Sequence, residues 1–86
     1  MKLKMYSLLD EKSKLYSRPF YAHHDGEALR SFASVCTDNE SMPSKFPADF
    51  TLWKIGDWDD NTGIISSDKP VYIAKAVDFC NVGVKK

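Results

Sequence analysis

The stretch PADFTLWKIGDWDDNTGIIS, residues 47–66, decides the fold of this chain. It predicts a strand, a polar turn over residues 59–63 and a short second strand from Gly63 to Ser66. Asp and Asn side chains bond nearby backbone in such turns, and Gly tolerates a positive φ. The hairpin's apolar area is supplied by Phe50, Leu52, Trp53, Ile55 and Trp58. Because tryptophan buries a large area and both tryptophans lie here, we expect this hairpin to nucleate the core.

Two strands are predicted before the hairpin. Residues 2–9 alternate between two faces, with Leu3 and Met5 on one and Lys2, Lys4 and Tyr6 on the other. A second strand is predicted from Leu15 to Ala22, with an interruption at Pro19. Proline cannot donate to a ladder, so it indicates an edge strand or a bulge at that point.

A helix is predicted from Gly26 to about Thr37. Asp25 is placed to act as its N-cap, and Glu27 in the first turn suits the positive end of the helix dipole. One apolar stripe recurs at helical spacing, formed by Leu29, Phe32, Ala33 and Cys36.

The rest of the chain completes an α+β fold. Residues 41–49 predict a loop, residues 67–70 a turn, and Val71–Phe79 a central strand with two partly apolar faces. Residues 81–86 are expected to fray. The predicted order is β-β-α-β-β-β, a single domain over residues 1–86 whose mostly antiparallel sheet of four to five strands carries one helix on one face. Lys54 shares the strand parity of Leu52, and Lys75 that of Ile73, so no clean basic and aromatic face follows from alternation.

The net charge of zero argues against a strongly basic nucleic-acid module, but the charge is unevenly spread. Residues 1–24 hold five basic against two acidic groups, residues 25–68 three against nine, and residues 69–86 four against one. If the two termini are neighbours, the protein has a basic side and an acidic side, and such a dipole can orient on a polyanion. A chain of 86 residues also has a small core, so a homodimer is the default expectation.

The chain shows no signal-peptide pattern and no apolar run of about 20 residues that would span a membrane. We therefore expect a cytosolic protein in which Cys36 and Cys80 are buried thiols, although the two could pair in an oxidising compartment.

Chemical motifs are few. Adjacent His23 and His24 point in different directions on any regular element and make a poor metal site alone. Residues 57–63 alternate oxygen ligands as a calcium loop does, but the Gly and Glu positions of an EF-hand hold Thr62 and Asp68. With no nucleophile motif or phosphate loop, we expect no enzymatic activity, no metal and no cofactor.

Nucleic-acid contact has support in the first two strands, where basic and aromatic residues interleave. Basic grooves with aromatic stacking platforms bind single strands. The residues predicted to contact phosphates or bases are Lys2, Lys4, Tyr6, Lys12, Lys14, Arg18 and Tyr21.

Three segments resemble the small non-structural protein of gokushovirus-type microviruses, which are single-stranded DNA phages. They are the opening Lys2-Leu3-Lys4-Met5-Tyr6-Ser7 with Asp10 and Lys12, the Pro19-Phe20 pair with the helix Asp25–Phe32, and the run Phe50-x-Leu52-x-x-Ile55-Gly56-x-x-Asp59-x-x-Thr62-Gly63 with its preceding Pro47-Ala48-Asp49. The resemblance covers residues 1 to about 78, and the last run is its most specific part.

The resemblance implies a non-catalytic phage accessory protein that acts in the host cell cytoplasm and supports viral single-stranded DNA synthesis. Its expected partners are single-stranded DNA, the phage replication complex, or both. The alternative is a protein–protein adaptor that binds a phage or host protein through the acidic middle and the uncovered sheet face. An exposed apolar patch rimmed by Asp57, Asp59 and Asp60 would favour the adaptor.

Overall fold

A five-stranded antiparallel sheet with one long helix on one face forms the protein, as the α+β prediction requires. The computed structural model describes residues 1–79; Cys80 and the predicted tail lie outside this range. Its elements are β1 (Lys2–Asp10), β2 (Leu15–Tyr16), β3 (Phe20–Ala22), α1 (Asp25–Thr37), α2 (Met42–Lys45), a short 3₁₀ helix (Pro47–Asp49), β4 (Phe50–Asp59) and β5 (Ile65–Lys75). The strand order is β2-β1-β4-β5, and β3 also pairs with β1.

The predicted second strand is interrupted at Pro19, as expected, and forms two short pieces along β1. β2 pairs with the end of β1, and β3 pairs with its middle, where Tyr6 lies opposite Phe20. Ser17 lies between the two pieces: its backbone N–H donates to Leu8 O at 2.8 Å, and its Oγ accepts from Leu8 N at 3.1 Å. These bonds satisfy the backbone of β1 where regular pairing stops.

The turn predicted at residues 67–70 is wrong, because those residues lie inside the continuous strand β5. Ser67 pairs with Gly56 and Val71 with Lys54, so residues 68–70 form a bulge opposite Ile55. A bulge accommodates Pro70, which has no N–H for a ladder. The central position predicted for the last strand is also wrong: β5 is at the sheet edge and ends at Lys75, and residues 77–79 are helical.

The helix starts one residue earlier than predicted and has a different cap. His24 is the N-cap, and its Nδ1 accepts from Glu27 N at 3.3 Å. Asp25, the predicted cap, instead accepts a hydrogen bond of 2.5 Å from the hydroxyl of Tyr6. Because the Tyr6 side chain is fully buried, its hydroxyl needs such a partner.

The core lies between α1 and the sheet. The predicted stripe is confirmed for Phe32 and Cys36, which are buried, and Leu29 packs beside them. The fully buried alanine of the helix is Ala28, not Ala33. The sheet contributes mainly Tyr6, Ala22, Leu52 and Ala74. Both tryptophans lie outside this cluster, and the predicted hairpin contributes Leu52 to it, with Phe50 packed alongside.

Candidate nucleic-acid interface

The sheet face opposite α1 is defined by the register of the strands. Side chains alternate along a strand, so the residues between the core-facing positions of β1 point away from the helix. Their cross-strand partners extend this surface over all five strands. We call it the open face; it comprises Leu3, Met5, Ser7, Leu9, Tyr16, Tyr21, Thr51, Trp53, Gly56, Trp58, Ile65, Ser67, Tyr72 and Lys75. Met5, Ser7 and Gly56 in its middle are buried.

Two aromatic pairs lie on the open face. The rings of Tyr21 and Trp58 are 5.6 Å apart at 59°, and those of Trp53 and Tyr72 are 5.7 Å apart at 75°. Tyr21 and Tyr72 are each 46% exposed, and Tyr16 is 45% exposed. At about 3.3 Å per residue, the two tryptophans of β4 are at most about 16 Å apart along the strand. The face therefore presents aromatic surface at two separate places along the strands.

The ring of Trp53 is held by a chain of hydrogen bonds. Its Nε1–H donates to Thr51 Oγ1 at 2.8 Å, and the Thr51 hydroxyl donates to Glu11 Oε2 at 3.0 Å. The backbone N–H of Glu11 donates to Asp49 O at 2.7 Å, which ties the turn after β1 to the start of β4. All three side chains of this chain are half-buried.

Gly56 lies between the two aromatic pairs, opposite Met5 on one side and Ser67 on the other. A Cβ at this position would lie 2.6 Å from the carbonyl oxygen of Ser66. Real Cβ atoms do not approach backbone so closely, so the bulged pairing of β4 with β5 requires glycine here.

The carboxylates of β4 lie on the helix side of the sheet. Asp57 and Asp59 are opposite Lys4 and Lys2 in the ladder, and Lys54 Nζ is 3.9 Å from Asp57 Oδ1. A hydrogen bond from the Asn61 backbone N–H lowers the pKa of Asp59. The paired strand positions that define the open face hold one charged side chain, Lys75, and no carboxylate; residues 68–70 of the bulge are assigned to neither face, and Glu11 reaches the edge of the open face from the neighbouring turn.

The predicted DNA-contact residues are divided between the two faces. Tyr6 is fully buried, and burial together with the hydrogen bond to Asp25 raises its pKa, so its ring offers no stacking surface. Lys2 and Lys4 point to the helix side, where they lie opposite Asp59 and Asp57. The prediction that these two lysines share one basic and aromatic surface with Tyr21 is therefore wrong.

The other predicted residues lie on or near the open face. Tyr21 is part of it, Lys12 and Lys14 are in the exposed turn after β1, and Arg18 is in the exposed loop between β2 and β3. Sequence reasoning missed the remaining aromatic residues and the lysine of this surface, namely Tyr16, Trp53, Trp58, Tyr72 and Lys75. Lys75 does not share a face with Ile73, because an irregularity in β5 separates them and places Lys75 opposite Thr51.

The polar motifs have structural partners. His23 Nδ1 is 3.1 Å from Glu27 Oε1, and the backbone N–H of His23 lowers the pKa of Glu27. Within residues 1–79, no three potential metal-ligating side chains come together. In the loop of β4 and β5, Asp59 accepts from Asn61 N at 2.9 Å, and Gly63 has a φ of 76°, so the acidic run forms a hairpin turn.

An apolar groove of about 420 Å³ lies on the helix side, between α1 and the β1–β3 edge. Its apolar walls are formed chiefly by Leu8, Phe20, Phe32 and Val35.

None of the helices in the described part of the chain is long and apolar enough to cross a bilayer.

Comparison with known proteins identifies one family. A family model described as Phage ORF5 protein matches residues 3–79. No curated protein and no solved structure matches the chain.

Proposed function

Since the chain belongs to the Phage ORF5 protein family, we propose that it is a non-catalytic phage protein that binds single-stranded DNA through the open face. The resemblance to non-structural proteins of single-stranded DNA phages motivates a role in viral DNA synthesis in the host cytoplasm. The observation that carries the proposal is the pair of aromatic clusters on a sheet face whose paired strand positions hold no carboxylate.

Stacking is the main interaction available to this face. Every base has a π-face, and aromatic platforms contribute about 1–3 kcal/mol per stacked base. Tyr21 and Trp58 form one platform, and Trp53 and Tyr72 form the other. Bases of a duplex are already stacked on one another, so the face favours a single strand.

Charge favours a polyanion on the same surface. At one end of the open face, Lys75 lies beside Thr51, and the turn with Lys12 and Lys14 follows β1 directly. Phosphates bound there release counterions, so binding should weaken as salt rises. The acids that dominate the middle of the sequence, such as Asp57 and Asp59, belong to the helix side and do not oppose this contact.

The test is fluorescence anisotropy with a labelled oligo(dT) at two salt concentrations, with a duplex of the same length as control. We expect the single strand to bind more tightly, with affinity falling as salt rises. Trp53→Leu and Trp58→Leu should each lower affinity by about tenfold, the equivalent of about 1.4 kcal/mol. Phe46→Leu is the matched control, because Phe46 is 50% exposed but lies between α2 and the 3₁₀ helix.

A protein–protein adaptor is the second candidate, and the apolar groove beside α1 favours it. Its volume of about 420 Å³ is in the range of sites that bury a ligand or a partner's apolar side chains. If the folded protein does not bind single-stranded DNA even at low salt, the open-face proposal fails. A pull-down with the phage replication protein, repeated with Val35→Glu in the groove wall, then tests the adaptor. A homodimer is a further expectation, which sedimentation at several concentrations would test.

A further inference from the structure

At one end of the open face, a half-buried chain of hydrogen bonds links Trp53 to Thr51 and Glu11, two residues that cannot stack on a base. Indole N–H donates to the Thr51 hydroxyl, which in turn donates to the Glu11 carboxylate, at 2.8 and 3.0 Å. Tyr72 packs edge-on against the same indole, with ring centroids 5.7 Å apart. The ring is therefore restrained both at its nitrogen and on one side.

We propose that Thr51 and Glu11 are positioning residues, which fix the indole of Trp53 as a preorganised stacking surface for a nucleic-acid base. The inference rests on the proposed function and adds to it the way in which one platform is built. A ring that is already immobile loses little conformational entropy when a base stacks on it, so preorganisation raises affinity without a new contact.

The order of donors explains why both residues are needed. A hydroxyl that accepts from the indole still has its own proton to place, and the Glu11 carboxylate takes it. A hydrogen bond to a charged acceptor is stronger than a neutral one, so the carboxylate fixes the Thr51 rotamer. Glu11 is itself anchored, because its backbone N–H donates to Asp49 O at 2.7 Å.

A consequence concerns base identity. Because the indole N–H of Trp53 is occupied by Thr51, it does not donate to the edge of a base, and the ring contributes only its π-face. Stacking alone is tolerant of sequence. We expect oligo(dT) and oligo(dC) of equal length to bind within about threefold of each other, and a difference above tenfold would overturn this part of the inference.

The decisive variant is Thr51→Val, which keeps the branched shape and removes the hydroxyl. Loss of one hydrogen bond of ordinary strength predicts about three- to tenfold weaker binding of oligo(dT). Thr51→Ser should restore binding, because it returns the hydroxyl. Thr37→Val is the matched control, since that hydroxyl donates to Ser34 O at the far end of α1. Equal affinity of Thr51→Val and the wild-type protein overturns the proposal.

A second readout does not depend on DNA. In ¹H–¹⁵N spectra, the indole N–H of Trp53 should exchange slowly with water in the wild-type protein, faster in Thr51→Val and slowly again in Thr51→Ser. Glu11→Ala should also speed the exchange of the Trp53 indole N–H, but by less than Thr51→Val. This variant tests the proposal if Thr51→Val does not fold. Rapid exchange in the wild-type protein refutes the positioning role, whereas slow exchange without any DNA binding refutes the proposed function alone.

Discussion

Gly56→Ala tests the geometry of the open face most directly. Gly56 is buried in the middle of β4, where the backbone of β5 leaves no room for a Cβ. An alanine Cβ would lie 2.6 Å from Ser66 O and 3.3 Å from Ser67 Cα. Both neighbours are backbone atoms, so no side-chain rotation relieves the contact and β5 itself must move.

The size of the effect follows from these distances. Ordinary contact lies at 3.4–4 Å, so Ser66 O must retreat from 2.6 Å by about 0.8 Å. Overpacking of this kind costs about 1–3 kcal/mol. Alanine recovers about 0.4–1 kcal/mol by restricting the unfolded chain. At the middle of these two ranges, the net loss in the free energy of unfolding is about 1.3 kcal/mol. For a domain of this size, each kcal/mol lowers the melting temperature by about 4–8 °C.

The assay is urea and thermal unfolding followed by tryptophan fluorescence, with oligo(dT) binding measured on the folded variant. The control is Gly26→Ala, whose added Cβ meets the side chain of His24 at 3.2 Å and no backbone atom. Alanine is favoured in a helix, and this gain offsets a small shift of the His24 ring that caps α1. We expect the control to stay within about 1 kcal/mol of the wild-type protein. A Gly56→Ala variant as stable as the wild type would refute the close approach of β5 and with it the register of the open face.

Three further outcomes are expected. Tyr6→Phe removes the hydroxyl that donates to Asp25 and should lower the free energy of unfolding by about 1 kcal/mol. The pKa of Tyr6 is raised in the folded state, so stability should fall as pH rises above about 10, where the unfolded tyrosine ionises first, and pH-dependent unfolding should show a smaller fall in Tyr6→Phe. Lys12→Ala with Lys14→Ala should reduce the slope of log affinity against log salt by about 1.4 without changing the melting temperature; an unchanged slope would remove both lysines from the phosphate contact. His24→Ala should cost about 1 kcal/mol in urea unfolding through loss of the helix cap, and His24→Asn should restore most of it.

The elements that could be predicted from the sequence are those with an uninterrupted period. The apolar spacing of Phe32 and Cys36 predicts α1, and the alternation of residues 2–9 predicts β1 and the faces of its side chains. The helix cap was misassigned because Asp25 has a long-range partner in Tyr6, and local propensity contains no information about a residue on another strand. The continuous strand β5 was predicted as two strands with a turn between them, because the residues of its bulge, which include Pro70, have the composition of a turn.

The sequence did not predict the two aromatic clusters because it does not show on which face of β4 each tryptophan lies. Trp53 and Trp58 are separated by an odd number of positions, so a regular strand would place them on opposite faces. However, the neighbouring residues Met5 and Tyr6 of β1 pair with Gly56 and Lys54 of β4. Ile55 therefore has no partner in β1 and forms a bulge in β4. This one residue reverses the alternation of everything after it.

The reversal at Ile55 determines the chemistry of both faces. Without it, Trp58 would turn toward the helix, and Asp57 and Asp59 would turn to the face that carries Trp53. With it, both tryptophans lie on the open face, and the two carboxylates lie opposite Lys4 and Lys2 on the other side. The bulge thus separates aromatic surface from negative charge in a stretch of sequence where the two are interleaved. That separation is what a surface for stacking the bases of a polyanion requires, and it is a property of the strand register that composition does not contain.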